Sequence, residues 1–266
     1  MTTSMQRAKK IRNNEAIEEL GLTFYPILMR DYDEFLSCKD VIELRMASLP
    51  VKYLPHDYIT ALFKMEMDAV NSEDKSNRGI LFKFMVMLYL SLRIDIQSTN
   101  IGETIFYKED NGNYELAYIT ITQNGETVEL KPRDISSKIR PLIAEMNGLE
   151  LPDEAQNLDI LRDAEEAKRF HNRGKAKLKI STDDLLASVA YQNRIRIKDL
   201  NEWTVREFAL NERAIARDKC YMLYTKAELS GEIKNNPYRS WCFDTTDDNY
   251  NTVDFEAFKK QFNSGQ

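Results

Sequence analysis

His56 and His171 are the only imidazoles in the chain, and they stand 115 positions apart. A zinc site or a histidine base needs partners at short fixed spacing, as in HExxH on one helix face, and neither residue has them. Both read as surface or capping groups. Cys38, Cys220 and Cys242 are odd in number and lack CxxC spacing. That points away from a disulfide framework or a zinc ribbon and toward a reducing compartment. Adjacent carboxylates, the raw material of acid and base catalysis, occur at Asp183 with Asp184, Glu165 with Glu166, and Asp247 with Asp248. At helix starts and polar turns such pairs act as caps or solvated charges, which is how they read here. GxGxxG, GxxxxGK[ST] and GxSxG are all missing from the sequence, so the usual nucleotide and hydrolase signatures are too. The expectation is a chain that is not an enzyme and carries no metal or cofactor.

With the chemistry so sparse, the elements carry most of the information. Hydrophobic residues make up 42% of the 266 positions and aromatics 10%, enough for buried cores. The net charge of -6 argues against wholesale wrapping of nucleic acid and leaves proteins as the expected partners, with self-association among the options. The basic N-terminal stretch MTTSMQRAKKIRNNEAIEEL has no apolar run behind it and does not read as a secretory leader. The apolar run GILFKFMVMLYLSLRI, Gly79 to Ile94, contains Lys83 and Arg93 and is shorter than the roughly 20 residues a bilayer needs. It is expected to be a central buried helix, with no membrane involved.

Up to Arg93 the sequence reads as successive helices. SMQRAKKIRNNEAIEELG should stop at Gly21, and Ser37-Cys38-Lys39-Asp40 has capping-box form, opening a helix that ends before Pro50. Pro55 suits the first turn of PHDYITALFKMEMDAVN. Ile59, Leu62, Phe63, Met65 or Glu66, and Val70 fall near helical spacing and give that helix an apolar face for the Gly79 to Ile94 helix. Met65, Met67, Met85 and Met87 read as gap-filling core.

The period then changes to two. Thr104 to Lys108, Tyr114 to Ile121 and Thr127 to Leu130 are separated by Asn111-Gly112 and Asn124-Gly125, the strongest short hairpin signal. Arg93 to Gln97 is a candidate fourth strand. A helix follows from Asp134 to Asn147, kinked or split at Pro141 and stopped by Gly148. The expected fold class is mainly α, with helical N-terminal and C-terminal modules and a three- to four-stranded antiparallel β-meander inserted around residues 94-131. A boundary near residue 150 separates a 1-150 module from a 151-266 module that ends in an aromatic turn and tail.

In the second module, Ser181 to Asp184 and Thr204 to Glu207 both have capping-box form. The second opens a long helix to Leu229, closed by Gly231, whose expected buried stripe is Val205, Phe208, Ala209, Ile215, Ala216, Leu223, Tyr224 and Ala227. Tyr238, Trp241 and Phe243 come next as an aromatic cluster. With Trp203 and Tyr221 they are the candidate partner-binding residues, since aromatics dominate interface hot spots. A helix-turn-helix alternative rests on Arg194, Arg196, Lys198 and Arg206. From Lys168 to Lys219 there are thirteen Lys and Arg against seven Asp and Glu, a local charge of +6 that could attract phosphate. Acidic residues interleave with it and no glycine marks the turn.

LPDEAQNLD, the run from DLLASVAYQNRIRIKDLNEW to TKAELSG, and NPYRSWCFD resemble the C-terminal half of tail-region proteins of tailed bacteriophages of low-GC Gram-positive bacteria, and are similar to tail assembly chaperones. ASLPVKYLPHDYITALFKMEMDAV resembles the same group. The resemblance covers about half the chain and transfers no catalytic residue. It implies a non-enzymatic morphogenesis protein that binds a tail or other virion protein in the host cytoplasm. Tail assembly chaperones of this sort are commonly shorter, and the β-meander from Thr104 to Leu130 is not part of the resemblance, which leaves a structural neck or tail subunit, resident in the virion, as the alternative.

Overall fold

The computed structural model describes residues 4–71, 76–95, 103–108, 114–154, 181–234 and 236. The chain is mainly helical, with a two-stranded and a three-stranded antiparallel sheet. Helix α1 (Ser4–Arg12) ends on Lys9, Lys10 and Arg12, cations placed at the negative end of its dipole. It does not continue to Gly21. Asn14 adopts a left-handed φ of 56°, and β1 (Ile17–Glu19) pairs with β2 (Leu22–Phe24) in the register Glu19 to Leu22. Leu20 and Gly21, at φ 53° and 80°, form the two-residue turn. Gly21 thus meets its need for positive φ in a hairpin and not at a helix end.

Helix α2 (Tyr32–Ile42) buries Phe35, Cys38, Val41 and Ile42. Ser37 lies inside it and donates to the Glu34 carbonyl at 2.8 Å, so the expected capping box there is not a helix start. Helix α3 (Tyr58–Asn71) is capped by Asp57, which accepts from the Thr60 amide at 3.0 Å, and Pro55 precedes the helix instead of opening it. Its buried face includes Ile59, Leu62, Phe63, Met65 and Ala69, while Val70 is exposed. Helix α4 (Ile80–Leu92) is the buried central helix expected, packed against α2 and α3. Glu66 of α3 accepts from the amides of Gly79 (2.8 Å) and Leu81 (3.3 Å), capping α4 from a neighbouring helix. Met65, Met85 and Met87 are buried in the core. Among the described residues no helix is long and apolar enough to cross a membrane.

The meander consists of β3 (Thr104–Lys108), β4 (Tyr114–Gln123) and β5 (Glu126–Leu130), in the order β3-β4-β5. Asn124 and Gly125, at φ 55° and 85°, make the second turn as expected; Asn111-Gly112 lies outside the described residues. The candidate fourth strand is not formed at its start. Arg93 ends α4 in a left-handed conformation, and Ile94 and Asp95 belong to no strand; 96–97 lie outside the described residues. Ile119, Ile121 and Leu130 seal the sheet into the core.

Gln123 ties three elements together. Its Oε1 accepts from the Thr23 amide (2.8 Å), and its Nε2 donates to the carbonyls of Thr23 (2.9 Å) and Leu92 (3.0 Å). Gln123→Leu should cost about 1–3 kcal/mol by stranding the Thr23 amide and two carbonyls. Chemical denaturation checks this, and an unchanged midpoint would refute it.

Past β5, α5 (Pro132–Asp134), a π turn (Ile135–Ile139) and α6 (Arg140–Asn147) run on from one another directly. Pro141 offers no N–H to the carbonyl four residues earlier, and the helix absorbs the defect by widening into the π turn rather than breaking. Gly148, at φ 69°, ends it. Helix α7 (Thr182–Asn193) is capped by Ser181, whose Oγ accepts from the Asp184 amide at 3.0 Å. Helix α8 (Val205–Leu229) has the full capping box: Thr204 Oγ1 accepts from the Glu207 amide (3.1 Å), and Glu207 Oε2 accepts from the Thr204 amide (2.8 Å).

Residues on both sides of position 150 share one core. Val189, Ala190, Leu200, Val205 and Phe208 belong to the same buried cluster as Ile27, Phe35 and Phe84. The link is also made through the backbone, with Met29 N–H to Trp203 O at 2.8 Å and Val205 N–H to Ile27 O at 2.9 Å. Asn147, buried, reinforces the junction: its Oδ1 accepts from the Ile27 amide at 2.9 Å and its Nδ2 donates to the Ile143 carbonyl at 2.8 Å.

Candidate functional site

The most distinctive surface is α8 itself. A helix of 25 residues is about 37 Å long at 1.5 Å per residue, yet it buries only Val205 and Phe208, both in its first turns. The stripe expected to be buried along its length is therefore corrected beyond Phe208. Ala209, Ile215 and Ala227 are half-buried, and Ala216, Leu223 and Tyr224 are exposed. Leu210, Met222, Leu223 and Leu229 are 47%, 51%, 65% and 83% exposed. The stripe does share one face of the helix, and Ile215 still packs on the core, but among the described residues no apolar side chain of α8 beyond Ile215 is packed against that core.

Trp203 is half-buried at the base of α8, packed against the core, and its carbonyl accepts from Met29. Tyr221 stands far along the helix, half-buried, so the two candidate anchors are not brought together. Tyr238, Trp241 and Phe243 lie outside the described residues.

The four cations of the helix-turn-helix alternative occupy different settings. Arg194 closes α7 in a left-handed conformation at φ 56°. Arg196 makes a two-point ion pair with Asp199, at 2.7 and 3.0 Å, and Lys198 is exposed beside it. Arg206 lies over Gly148, 3.4 Å from where a Cβ there would be. The connection between α7 and α8 contains a 3-10 helix, Ile197–Glu202, longer than the tight turn of a DNA-reading helix pair.

Two of the open clefts among the described residues gather charged side chains. One, about 360 Å³, lies between the start of α2 and the end of α4 and is lined by Arg30, Asp31, Glu34 and Arg93. Burial pushes the Asp31 carboxyl above its ordinary value, with Arg30, 3.7 Å away, pulling the other way. The other, about 420 Å³, is lined by Lys52, Tyr53, His56, Lys64, Asp68 and Tyr114. There burial alone would raise Asp68, but hydrogen bonds from Lys52 and Tyr53 outweigh it and hold the carboxyl low. Lys64 is paired with Glu115. His56 has no metal-binding company: among the described residues no group of three or more His, Cys, Asp or Glu is placed to hold a metal ion. His171, Cys242 and the pairs Glu165–Glu166 and Asp247–Asp248 lie outside the described residues. Asp183 and Asp184 sit in the first turn of α7.

The polar cluster that sequence reasoning missed is internal. Arg140 is 8% exposed. Its Nε donates to the Ile42 carbonyl at 3.0 Å, a terminal nitrogen donates to the Leu44 carbonyl, and its guanidinium sits 3.9 Å above the Tyr58 ring. The Tyr58 hydroxyl donates to the Val41 carbonyl. Arginine before proline carries no sequence signal for such a role.

Burial raises the Tyr58 phenol well above its usual 10.0, with Arg140 opposing. The neutral phenol is thus the folded form, and its contribution to stability is full below pH 10 and lost as pH rises beyond it. Tyr58→Phe should flatten the alkaline fall in stability above pH 10. Denaturation midpoints across that range check it, and equal slopes in the two chains would refute it.

Comparison with family models, curated proteins and solved structures found no match for the chain.

Proposed function

We propose that the chain is a non-enzymatic bacteriophage morphogenesis protein that binds another phage protein through α8. The observation that carries this reading is the set of exposed apolar side chains, Leu210, Met222, Leu223 and Leu229, on a helix whose buried residues both lie in its first turns. Met222 and Leu229, seven residues apart, share one side of the helix, and exposed apolar residues grouped in this way mark interaction sites. The sequence resemblance to tail-region proteins supplies the phage context, and a structural neck or tail subunit is its variant. The host cytoplasm is the proposed location for a chaperone role and the virion for a structural one.

The test is affinity capture of the tagged chain from infected Gram-positive cells, with mass spectrometry of what co-purifies. A tail or other virion protein is expected, and recovery of host enzymes alone would overturn the reading. Stable presence in purified virions separates subunit from chaperone. The nucleic-acid reading draws on the +6 charge from Lys168 to Lys219, and it requires a gel shift at low salt that weakens steeply as salt rises. The Arg196–Asp199 pair weighs against it.

A further inference from the structure

Three asparagines precede glycine in the sequence: Asn111, Asn124 and Asn147. Glycine has no Cβ to hinder its amide, so an Asn-Gly pair is where a backbone nitrogen most easily attacks the side-chain amide before it. Asn111 lies outside the described residues. The other two stand in opposite surroundings.

Asn147 is 2% exposed, and every group such an attack would use is held. The attacking nitrogen, the Gly148 amide, donates to the Ala144 carbonyl at the end of α6. The leaving nitrogen, Asn147 Nδ2, donates to the Ile143 carbonyl, and Oδ1 accepts from the Ile27 amide. All of these bonds would have to break inside the core. Asn124 and Gly125, by contrast, are both exposed at the tip of the β4–β5 hairpin. Gln123 pairs with Glu126 across the turn, so the ladder closes beneath the tip and leaves the Gly125 amide outside it. Attack requires the peptide between Asn124 and Gly125 to swing. Nothing lies within 4 Å of where a Gly125 Cβ would be, so there is room for that motion and for water.

We propose that Asn124 is a site of spontaneous covalent modification in the folded protein, from which Asn147 is shielded. The Gly125 amide gives its proton to hydroxide, and its nitrogen attacks Asn124 Cγ. The bond from Cγ to Nδ2 breaks, and ammonia leaves after taking a proton from water. A second water opens the succinimide ring that remains. Addition at Cγ gives aspartate; addition at the main-chain carbonyl carbon gives isoaspartate, in which the main chain runs through Cγ and is one atom longer. Either product places a new negative charge beside exposed Glu126 at the hairpin tip. The chemistry consumes only water and is independent of what α8 binds.

The test is peptide mapping by mass spectrometry of the unaltered full chain, sampled over time at mildly alkaline pH. In the folded protein Asn124 should convert roughly a hundredfold faster than Asn147, because a hairpin tip opens at almost no cost and the core opens only with the fold. In the chain unfolded in guanidinium chloride, Asn111, Asn124 and Asn147 should convert at like rates, which assigns the difference to structure and not to neighbouring sequence. Fragmentation that separates isoaspartate from aspartate should find both at position 124, as a succinimide requires. Two results would overturn the proposal: an Asn124 that stays intact in the folded chain for as long as the unfolded chain takes to convert, or an Asn147 that converts in the folded chain as fast as Asn124. Aspartate at 124 with no isoaspartate would refute the succinimide route.

Discussion

Arg140→Met should destabilise the protein by about 3–5 kcal/mol, read as a drop in the urea midpoint at constant slope. The carbonyls of Val41 and Ile42 lie at the C-terminal end of α2 and that of Leu44 just past it, where helix carbonyls have no donor further along the helix and the dipole is negative. Arg140 and Tyr58 supply those donors from outside the helix. Burial works against the charged guanidinium, and the surrounding carbonyls, the helix dipole and the Tyr58 ring offset that cost. Methionine fills similar space but takes the donor away from the buried Ile42 carbonyl and the half-buried Leu44 carbonyl. Arg140→Lys should recover less than half of the loss, because an ammonium cannot serve two carbonyls in a fixed fork while stacking on a ring. A midpoint unchanged in Arg140→Met would show that solvent reaches the end of α2 and that the clamp contributes nothing.

This cluster also marks where sequence reading stops. The 3.6-residue periodicity of Ile80–Leu92, the Asn124-Gly125 hairpin and the Thr204–Glu207 box are local signals, and each specifies its element because the relevant physics spans only a few residues. Gly21 shows the limit of such signals: positive φ is required by a helix end and by a tight hairpin alike, and only the alternating burial of Leu22 and Phe24 decides between them. Glu66, Gln123, Arg140 and Asn147 act across 13 to 120 residues of sequence, and nothing adjacent to them announces the partner. The candidate site was legible in part for the same reason. The length and N-terminus of α8 are written in its caps. Its exposure depends on which neighbours exist to cover it, which no pattern within Val205–Leu229 records.

How α8 is held leads to the second large effect. Phe208→Ala should release α7 and the base of α8 from the body while leaving the α3–α4 core folded. Phe208 is 1% exposed and lies 5.7 Å from the Tyr32 ring, tilted at 57°. Truncating such a ring costs about 3–5 kcal/mol through lost transfer energy and the cavity left behind. The fully buried apolar residues joining residues 181–208 to the rest are few, chiefly Val189, Ala190, Leu200, Val205 and Phe208. A loss of that size is therefore comparable with the local stability of the unit, and local opening should precede global unfolding. Hydrogen exchange resolves the two. Amides of Thr182–Asn193 and the first turns of α8 should exchange faster by two orders of magnitude or more, at about tenfold per 1.4 kcal/mol, while those of Ile80–Leu92 keep their protection. Phe84→Ala, which removes a fully buried ring from α4 itself, should instead lower protection everywhere. A uniform loss in Phe208→Ala, indistinguishable from that of Phe84→Ala, would mean that the base of α8 belongs to the same cooperative unit as α4 and does not open separately.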